Sequence, residues 1–276
     1  MKRLPKNYFL DLDALHFAYE VADAEGKKLA FSRIEEKLKI TKAKPKAAQW
    51  DDYWKEMNTA QASSPSFFKK METGPSIFRY NGGFIMTEKK DLAVEVLHQI
   101  IGNVLRRLPS SVTNIVEFGC GNGHNLEYIK KIFPKYALTG CDISEWAVKT
   151  VKEKGFMGFE FDMTAPSIHS AISNKENTVY FTSGSMEQTG KKWKGFFKFL
   201  RQSKAKYIFH IEPIGELYSA RSKAEVLALQ FHHAKGYLTG YLSFLKEQKD
   251  FDVEYSKSDF GTLFDQGFNV ILLTRK

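Results

Sequence analysis

From about residue 111 onward, apolar positions gather into short runs separated by stretches of helical period. The runs are Ile115–Phe118, Tyr136–Asp142, Met157–Met163, Thr178–Ser185 and Lys206–Pro213, the last stopped by its proline. This β-α-β-α order predicts a parallel sheet covered on both faces. Between the fourth and fifth runs, Trp193, Phe196, Phe197 and Leu200 recur at i, i+3, i+4 and i+7, which predicts a helix with one buried face. Ser222 to about Gln248 reads as one long helical stretch. Phe251–Tyr255 and Phe268–Leu273 then read as strands joined only by a glycine-bearing loop, Asp259–Gly267, and such strands should pair antiparallel.

The first 110 residues read as mostly helical. Leu12, Leu15 and Tyr19 share a helical face, and Ser32–Glu35 has the form of a capping box before Ile34 and Leu38. Trp50, Trp54 and Met57 repeat at helical spacing with Tyr53 beside them, a pattern that suits a core and also suits a roof over an active site. A basic break at Lys42–Lys46 and a turn at Ser63–Ser66 flank that helix. Ile77–Met86 predicts a hairpin with a tight Asn81-Gly82 turn, and Thr87 a cap for a helix from about Glu88 to Leu108, ended by Pro109. Two regions are expected: 1–110, a helical N-terminal cap that closes over a site and excludes water, and 111–276, an α/β unit.

Composition changes this picture little. Hydrophobic content of 43% and charged content of 26% are those of a globular protein. No apolar run approaches membrane-spanning length, and the N-terminus meets Asp11 too early for a secretory signal, so the cytoplasm is the expected compartment. Cys120 and Cys141 have no metal-ligand spacing; they are expected as small buried side chains, with no metal site. The net charge of +9 has a local origin: Lys191, Lys192, Lys194, Lys198, Arg201, Lys204 and Lys206 occur with no acid among them. A solvated helix face accounts for these cations, and an anionic partner such as an acidic glycan or nucleic acid is the alternative.

The chemistry concentrates at Ile115-Val-Glu-Phe-Gly-Cys-Gly-Asn-Gly123. Gly119, Gly121 and Gly123 turn the chain tightly from a strand into a helix near His124, leaving bare backbone against which a ligand can lie. The G-x-G-x-G spacing, with Glu117 two residues upstream, departs from the dinucleotide G-x-G-x-x-G, whose third glycine would stand at His124. Asp142 closes the next strand, where its carboxylate can accept hydrogen bonds from two ribose hydroxyls.

On these residues the chain resembles the class I S-adenosylmethionine-dependent methyltransferases over roughly residues 111 to 276. The resemblance implies a doubly wound, mainly parallel seven-stranded sheet with an antiparallel last strand, and S-adenosyl-L-methionine as cofactor. It implies that Asp162 meets the adenine amino group and that the Ser183-Gly184-Ser185 loop brings the methionine end and the acceptor together. Glu117, Gly119, Gly121, Asn122, Gly123, Asp142, Ile143, Asp162, Met163 and Ser183 are the expected cofactor-binding residues, and Arg79, the one cation in the hairpin, the expected partner of the cofactor carboxylate.

Methyl transfer asks the protein to position a nucleophile and accept its proton. Candidate groups are Glu187 after the fourth strand, His210 and Glu212 on one face of the fifth, and His232 or His233 on the long helix. His233 or His210 is the expected base, with Glu187 or Glu212 orienting the acceptor. The loop Thr182–Gln188 lacks the Asn-Pro-Pro-Tyr form associated with base or amide nitrogens in this superfamily, and the acids of metal-dependent catechol-type enzymes are also missing. Metal-free O- or N-methylation of a small-molecule or glycan acceptor, an anionic one included, is therefore expected. A weaker resemblance, in short motifs only, is to bacterial sugar and surface-glycan methyltransferases. Two alternatives stand: a nucleic-acid-directed methyltransferase or binder using the 191–206 face, and an NAD-dependent oxidoreductase.

Overall fold

The computed structural model describes residues 1–41, 46–59, 75–167, 172, 175–265 and 267–276, with the side chains of 46–49 and 57–59 left aside. The turn at 63–66 and the basic break at 42–45 lie outside the described residues, as does the side chain of Met57. The five apolar runs become strands β5 (Asn114–Phe118), β6 (Ala137–Asp142), β7 (Met157–Glu160), β8 (Thr178–Ser183) and β9 (Tyr207–Glu212), all parallel to their neighbours in this set. The last two strands, β10 (Phe251–Ser256) and β11 (Asn269–Arg275), pair antiparallel, with β11 inserted between β9 and β10. The order β10-β11-β9-β8-β5-β6-β7 is the seven-stranded arrangement that the resemblance implies. A two-residue strand, β1 (Lys2–Arg3), extends it by pairing parallel with β10.

Alternation along β5 explains the two layers. Ile115 joins one core with α3 (Leu92–Arg106) and α4 (His124–Ile132), while Val116 and Phe118 join the other with α6 (Trp193–Gln202) and α8 (Tyr241–Leu245). In α6 the aromatic stripe is buried and Lys194, Lys198 and Arg201 face outward, Arg201 paired with Asp250. Helix α5 (Glu145–Glu153) starts on Ser144, whose hydroxyl accepts from the Ala147 N–H.

The N-terminal region departs further from expectation. The hairpin forms, as β3 (Ser76–Tyr80) and β4 (Gly83–Thr87), with Asn81 and Gly82 both left-handed. It gains a third strand, β2 (Glu20–Val21), so the cap is not wholly helical. Leu12 and Leu15 lie in and beside a single 3-10 turn. Helix α1 (Ala24–Ile40) begins eight residues before the Ser32 box, because Asp23 takes the N-cap and accepts from Gly26. Thr87 caps no helix: its hydroxyl donates to Ala18 O, and α3 starts at Leu92. Helix α3 and Leu4, Phe9, Leu10 and Leu12 pack into the sheet's core. A third core joins the hairpin, α1 and α7 (Lys223–Lys235). The expected long helix after β9 is broken, because Gly236 adopts left-handed geometry at the end of α7 and the chain turns before α8. Among the described residues no helix is long and apolar enough to cross a membrane.

Candidate active site

The glycine turn lies at the carboxyl end of β5, in mid-sheet. At Gly119 (φ 76°) a Cβ would stand 2.2 Å from Ser185 Cβ, and at Gly121 (φ 52°) 2.3 Å from the indole of Trp54. Neither position can carry a side chain without displacing a neighbour. Asp142 ties the turn to the next connection: Oδ2 accepts from Gly121 N (2.8 Å) and Oδ1 from Ser144 N (3.0 Å). Burial pushes this carboxyl above its ordinary range, opposed by those N–H donors. Each oxygen retains a further lone pair, so ribose hydroxyls can still be accepted. Ile143 is half-buried between the two, and the Asn122 side chain accepts from His124 N (3.3 Å).

The neighbouring positions are built around this turn. Asp162 Oδ1 accepts from both the N–H and the hydroxyl of Thr164, at 2.7 and 2.8 Å, and Met163 Cε approaches Gly119. Ser183 ends β8, half-buried. Glu117 points to the α3–α4 face, where Oε1 accepts from Asn125 (2.6 Å) and Oε2 has no partner among the described residues; burial raises its pKa to about 8, so the carboxyl is protonated at neutral pH. Beside it His98 stacks on Tyr128, and burial lowers its pKa to about 3.

Helix α2 (Lys46–Thr59) covers the turn. Asp51 accepts from the Ser144 hydroxyl (2.8 Å) and the Trp146 N–H (3.4 Å), which holds Trp54 against Gly121.

Ser185, in the loop expected to meet the methionine end and the acceptor, backs the turn by donating to Phe118 O (2.8 Å). The reach of a hydroxyl across two strands leaves no local signal in sequence. Glu212 accepts from the N–H groups of Ser185, Met186 and Glu187 (3.3, 3.0 and 3.2 Å), and so folds the 3-10 turn Met186–Lys192 onto the end of β9. Its role is to position that turn rather than to orient an acceptor. Glu187 is 4% exposed; Oε1 accepts from Gln188 (2.7 Å) and Oε2 has no partner among the described residues. Burial, then the charge of the neighbouring Glu212, pushes its pKa well up.

Three expectations need correction. His210 has both ring nitrogens engaged, Nδ1 with Thr182 Oγ1 (2.8 Å) and Nε2 with the Tyr241 hydroxyl (2.9 Å), and burial lowers its pKa to about 3; it holds the sheet to α8 and is not placed as a base. His233 is exposed on α7. The adjacent His232 turns inward instead, 6% exposed, with Nε2 at the Tyr218 hydroxyl (3.2 Å) and Nδ1 unpartnered among the described residues. Burial, then the charge of Arg79, lowers its pKa to about 4. Arg79 makes no hydrogen bond to the glycine turn. Its Nε donates to Leu263 O (2.9 Å) and Nη1 to Ala224 O (2.7 Å), which commits it to the joint between hairpin, α7 and the β10–β11 connection.

No family model matches the chain. A stretch of 64 residues is 31% identical to the malonyl-[acyl-carrier protein] O-methyltransferase of Priestia megaterium; it covers 23% of this chain and 23% of that protein, less than a quarter of the relative's length. Among solved structures, the CurJ carbon methyltransferase aligns with a TM-score of 0.48 and 19% identity, over 68% of this chain and 56% of its own. The plantazolicin methyltransferase BpumL, in complex with a pentazolic desmethylPZN analog and SAH, aligns at 0.46 and 16% identity over 91% and 100%. The methyltransferase domain of bacterial CtHen1 aligns at 0.48 and 15% over 64% and 97%. The fold assignment rests on the strand order itself.

Proposed function

We propose that this chain is an S-adenosylmethionine-dependent methyltransferase acting in the cytoplasm on a polar oxygen or nitrogen of a small-molecule or glycan acceptor. The observation that carries the reading is the glycine turn, whose side-chain-free backbone is tied by Gly121 N to the Asp142 carboxylate. A Cβ-free turn packed beneath Ser185 and Trp54, beside an acid with lone pairs to spare, supports an adenosyl site here. Bound there, the cofactor supplies the electrophilic methyl of a sulfonium.

The chain's own residues bind, orient and manage the proton. Asp142 accepts from the ribose, and α2 with Trp54 roofs the turn and keeps water from it. The Glu212-anchored turn holds Glu187 just beyond β8, where its Oε2, unpartnered among the described residues, meets the acceptor. His232, neutral and with Nδ1 unpartnered, takes the acceptor's proton. The 191–206 cations lie exposed around α6, and no observation at the site draws on them.

Isothermal titration with S-adenosylhomocysteine and, separately, NADH tests the reading. The parent should bind S-adenosylhomocysteine and not NADH, Gly121→Val should lose it, and Asp142→Ala should weaken it by roughly 2–4 kcal/mol. Binding of NADH alone, or an unimpaired Gly121→Val, would sink the assignment.

A further inference from the structure

A turn that binds a ligand through bare backbone must offer that backbone to the ligand. At Gly121 the space is taken. The indole of Trp54 puts Cζ2, Cη2 and Cε2 at 2.3, 2.5 and 3.1 Å from where a Cβ would stand. Carbons rest about 3.5–4.0 Å apart, so the ring fills the room that the missing side chain vacates. The N–H of Gly121 is spent as well, on Asp142 Oδ2 (2.8 Å). Gly119 is covered by Ser185, but that residue belongs to the wall of the site: its hydroxyl is held by Phe118 O and its N–H by Glu212. Trp54 comes instead from a separate helix.

Helix α2 is held at its surface, for none of residues 50–56 is buried. Asp51 makes the polar link, accepting from the Ser144 hydroxyl (2.8 Å) and the Trp146 N–H (3.4 Å) at the N-terminus of α5, an end whose amide dipoles favour an anion. Lys55 adds a cation 5.6 Å from the centre of the Trp146 ring. Ser144 in turn gives its own N–H to Asp142 Oδ1 (3.0 Å). The helix therefore lies across both parts of the adenosyl seat, the turn through Trp54 and the neighbour of the ribose acid through Asp51. From this geometry we infer that Trp54 is an autoinhibitory plug: its indole and the cofactor compete for the bare face of Gly121, and the cofactor enters when the Asp51 latch opens and α2 lifts. The inference rests on the methyltransferase reading and adds a gate to it. Behind a seated cofactor the helix can close again, with the indole outside the ligand as a water-excluding roof. A site that is open for a fraction of the time has its apparent affinity and its association rate reduced by that fraction, so loosening the plug should speed entry.

The test passes S-adenosylhomocysteine over the full chain immobilised for surface plasmon resonance, which reads association and dissociation separately. Loss of a hydrogen bond to a charged group shifts an equilibrium about tenfold or more. Asp51→Ala should therefore raise the association rate constant about tenfold over the parent, and Trp54→Ala by at least as much. Circular dichroism checks that each variant is folded, and Asp51→Asn or Trp54→Leu replaces one that is not. A tryptophan that served only as a fixed wall against the ligand would give another pattern, with association unchanged and dissociation faster when it is removed. That pattern, or slower association in the tryptophan variant, overturns the inference. Binding by the variants with none by the parent would be the gate in its extreme form and supports it. Failure of the parent and of both variants to bind S-adenosylhomocysteine overturns the underlying reading instead.

Discussion

The contact between Trp54 and Gly121 yields a double-mutant prediction. Gly121→Ala carries two costs. The first is backbone strain at φ 52°, about 1–2 kcal/mol for a residue with a Cβ, and it does not depend on Trp54. The second does: the new carbon would stand 2.3 Å from the indole Cζ2 and 2.5 Å from Cη2, whereas carbons rest about 3.5–4.0 Å apart, so the ring must retreat or leave its seat. Overpacking of this kind costs about 1–3 kcal/mol. Gly121→Ala should therefore destabilise the parent by about 2–5 kcal/mol and Trp54→Ala by its own amount, while in the Trp54→Ala background the glycine substitution should cost only about 1–2 kcal/mol. Urea unfolding followed by far-ultraviolet circular dichroism, without cofactor, gives all four corners of the cycle. Equal losses in both backgrounds, within about 0.5 kcal/mol, would mean that the indole does not rest on the turn.

Glu117→Gln should gain stability over the parent as pH rises, because the folded parent must keep its carboxyl protonated up to about pH 8 while the unfolded chain releases that proton near 4.5. The difference should grow by roughly 1.4 kcal/mol per pH unit between those limits, and a flat difference would place Glu117 in water. His98→Gln should show the opposite sense: the folded ring, with its pKa near 3, refuses a proton that the unfolded chain takes up near 6.5, so the variant should gain on the parent as pH falls through that window. Glu212→Gln replaces an acceptor of three backbone N–H groups and should cost about 2–4 kcal/mol in thermal or urea unfolding; an unchanged midpoint would remove its anchoring role. With an acceptor in hand, His232→Ala should lower turnover at nearly constant cofactor affinity while His233→Ala leaves both intact, and the reverse pattern would restore the exposed histidine as the base.

The parts of the site made from consecutive residues were legible in the sequence. A strand, three glycines and an acid closing the next strand mark the turn and put Asp142 on the neighbouring strand end, while the bond from Gly121 N to Asp142 appeared only with the structure. Parts made by distant segments were not. Histidines 232 and 233 differ by one position on a helix, about 100° of rotation, and the polar pattern around them does not say which turns inward. Arg79 was legible as an isolated cation, but its target depends on α7 and on a loop 184 residues away. Glu212 and Ser185 were legible as site candidates, but their partners, the N–H groups of the turn after β8 and Phe118 O, came into reach only through the pairing of β5, β8 and β9. The helix break after α7 was visible as Gly236, yet the apolar tract resumes at once with Tyr237 and Leu238 and masks it.

The joint that Arg79 makes between the hairpin and the β10–β11 connection bears on synthesis as well as on the finished molecule. Translation adds about 5–20 residues per second, so the hairpin is complete on the order of ten to forty seconds before the loop that locks it has been made. Until then the Arg79 guanidinium has no carbonyl of Leu263 to bind, and α7, which supplies the Ala224 carbonyl, has emerged only shortly before. A longer interval separates β1 from β10, its one sheet neighbour among the described residues. The N-terminal segments therefore wait for these C-terminal partners, and the last strands complete the sheet late. Slow, long-range closure of this kind makes the yield of native protein sensitive to the rate at which the final portion of the chain emerges.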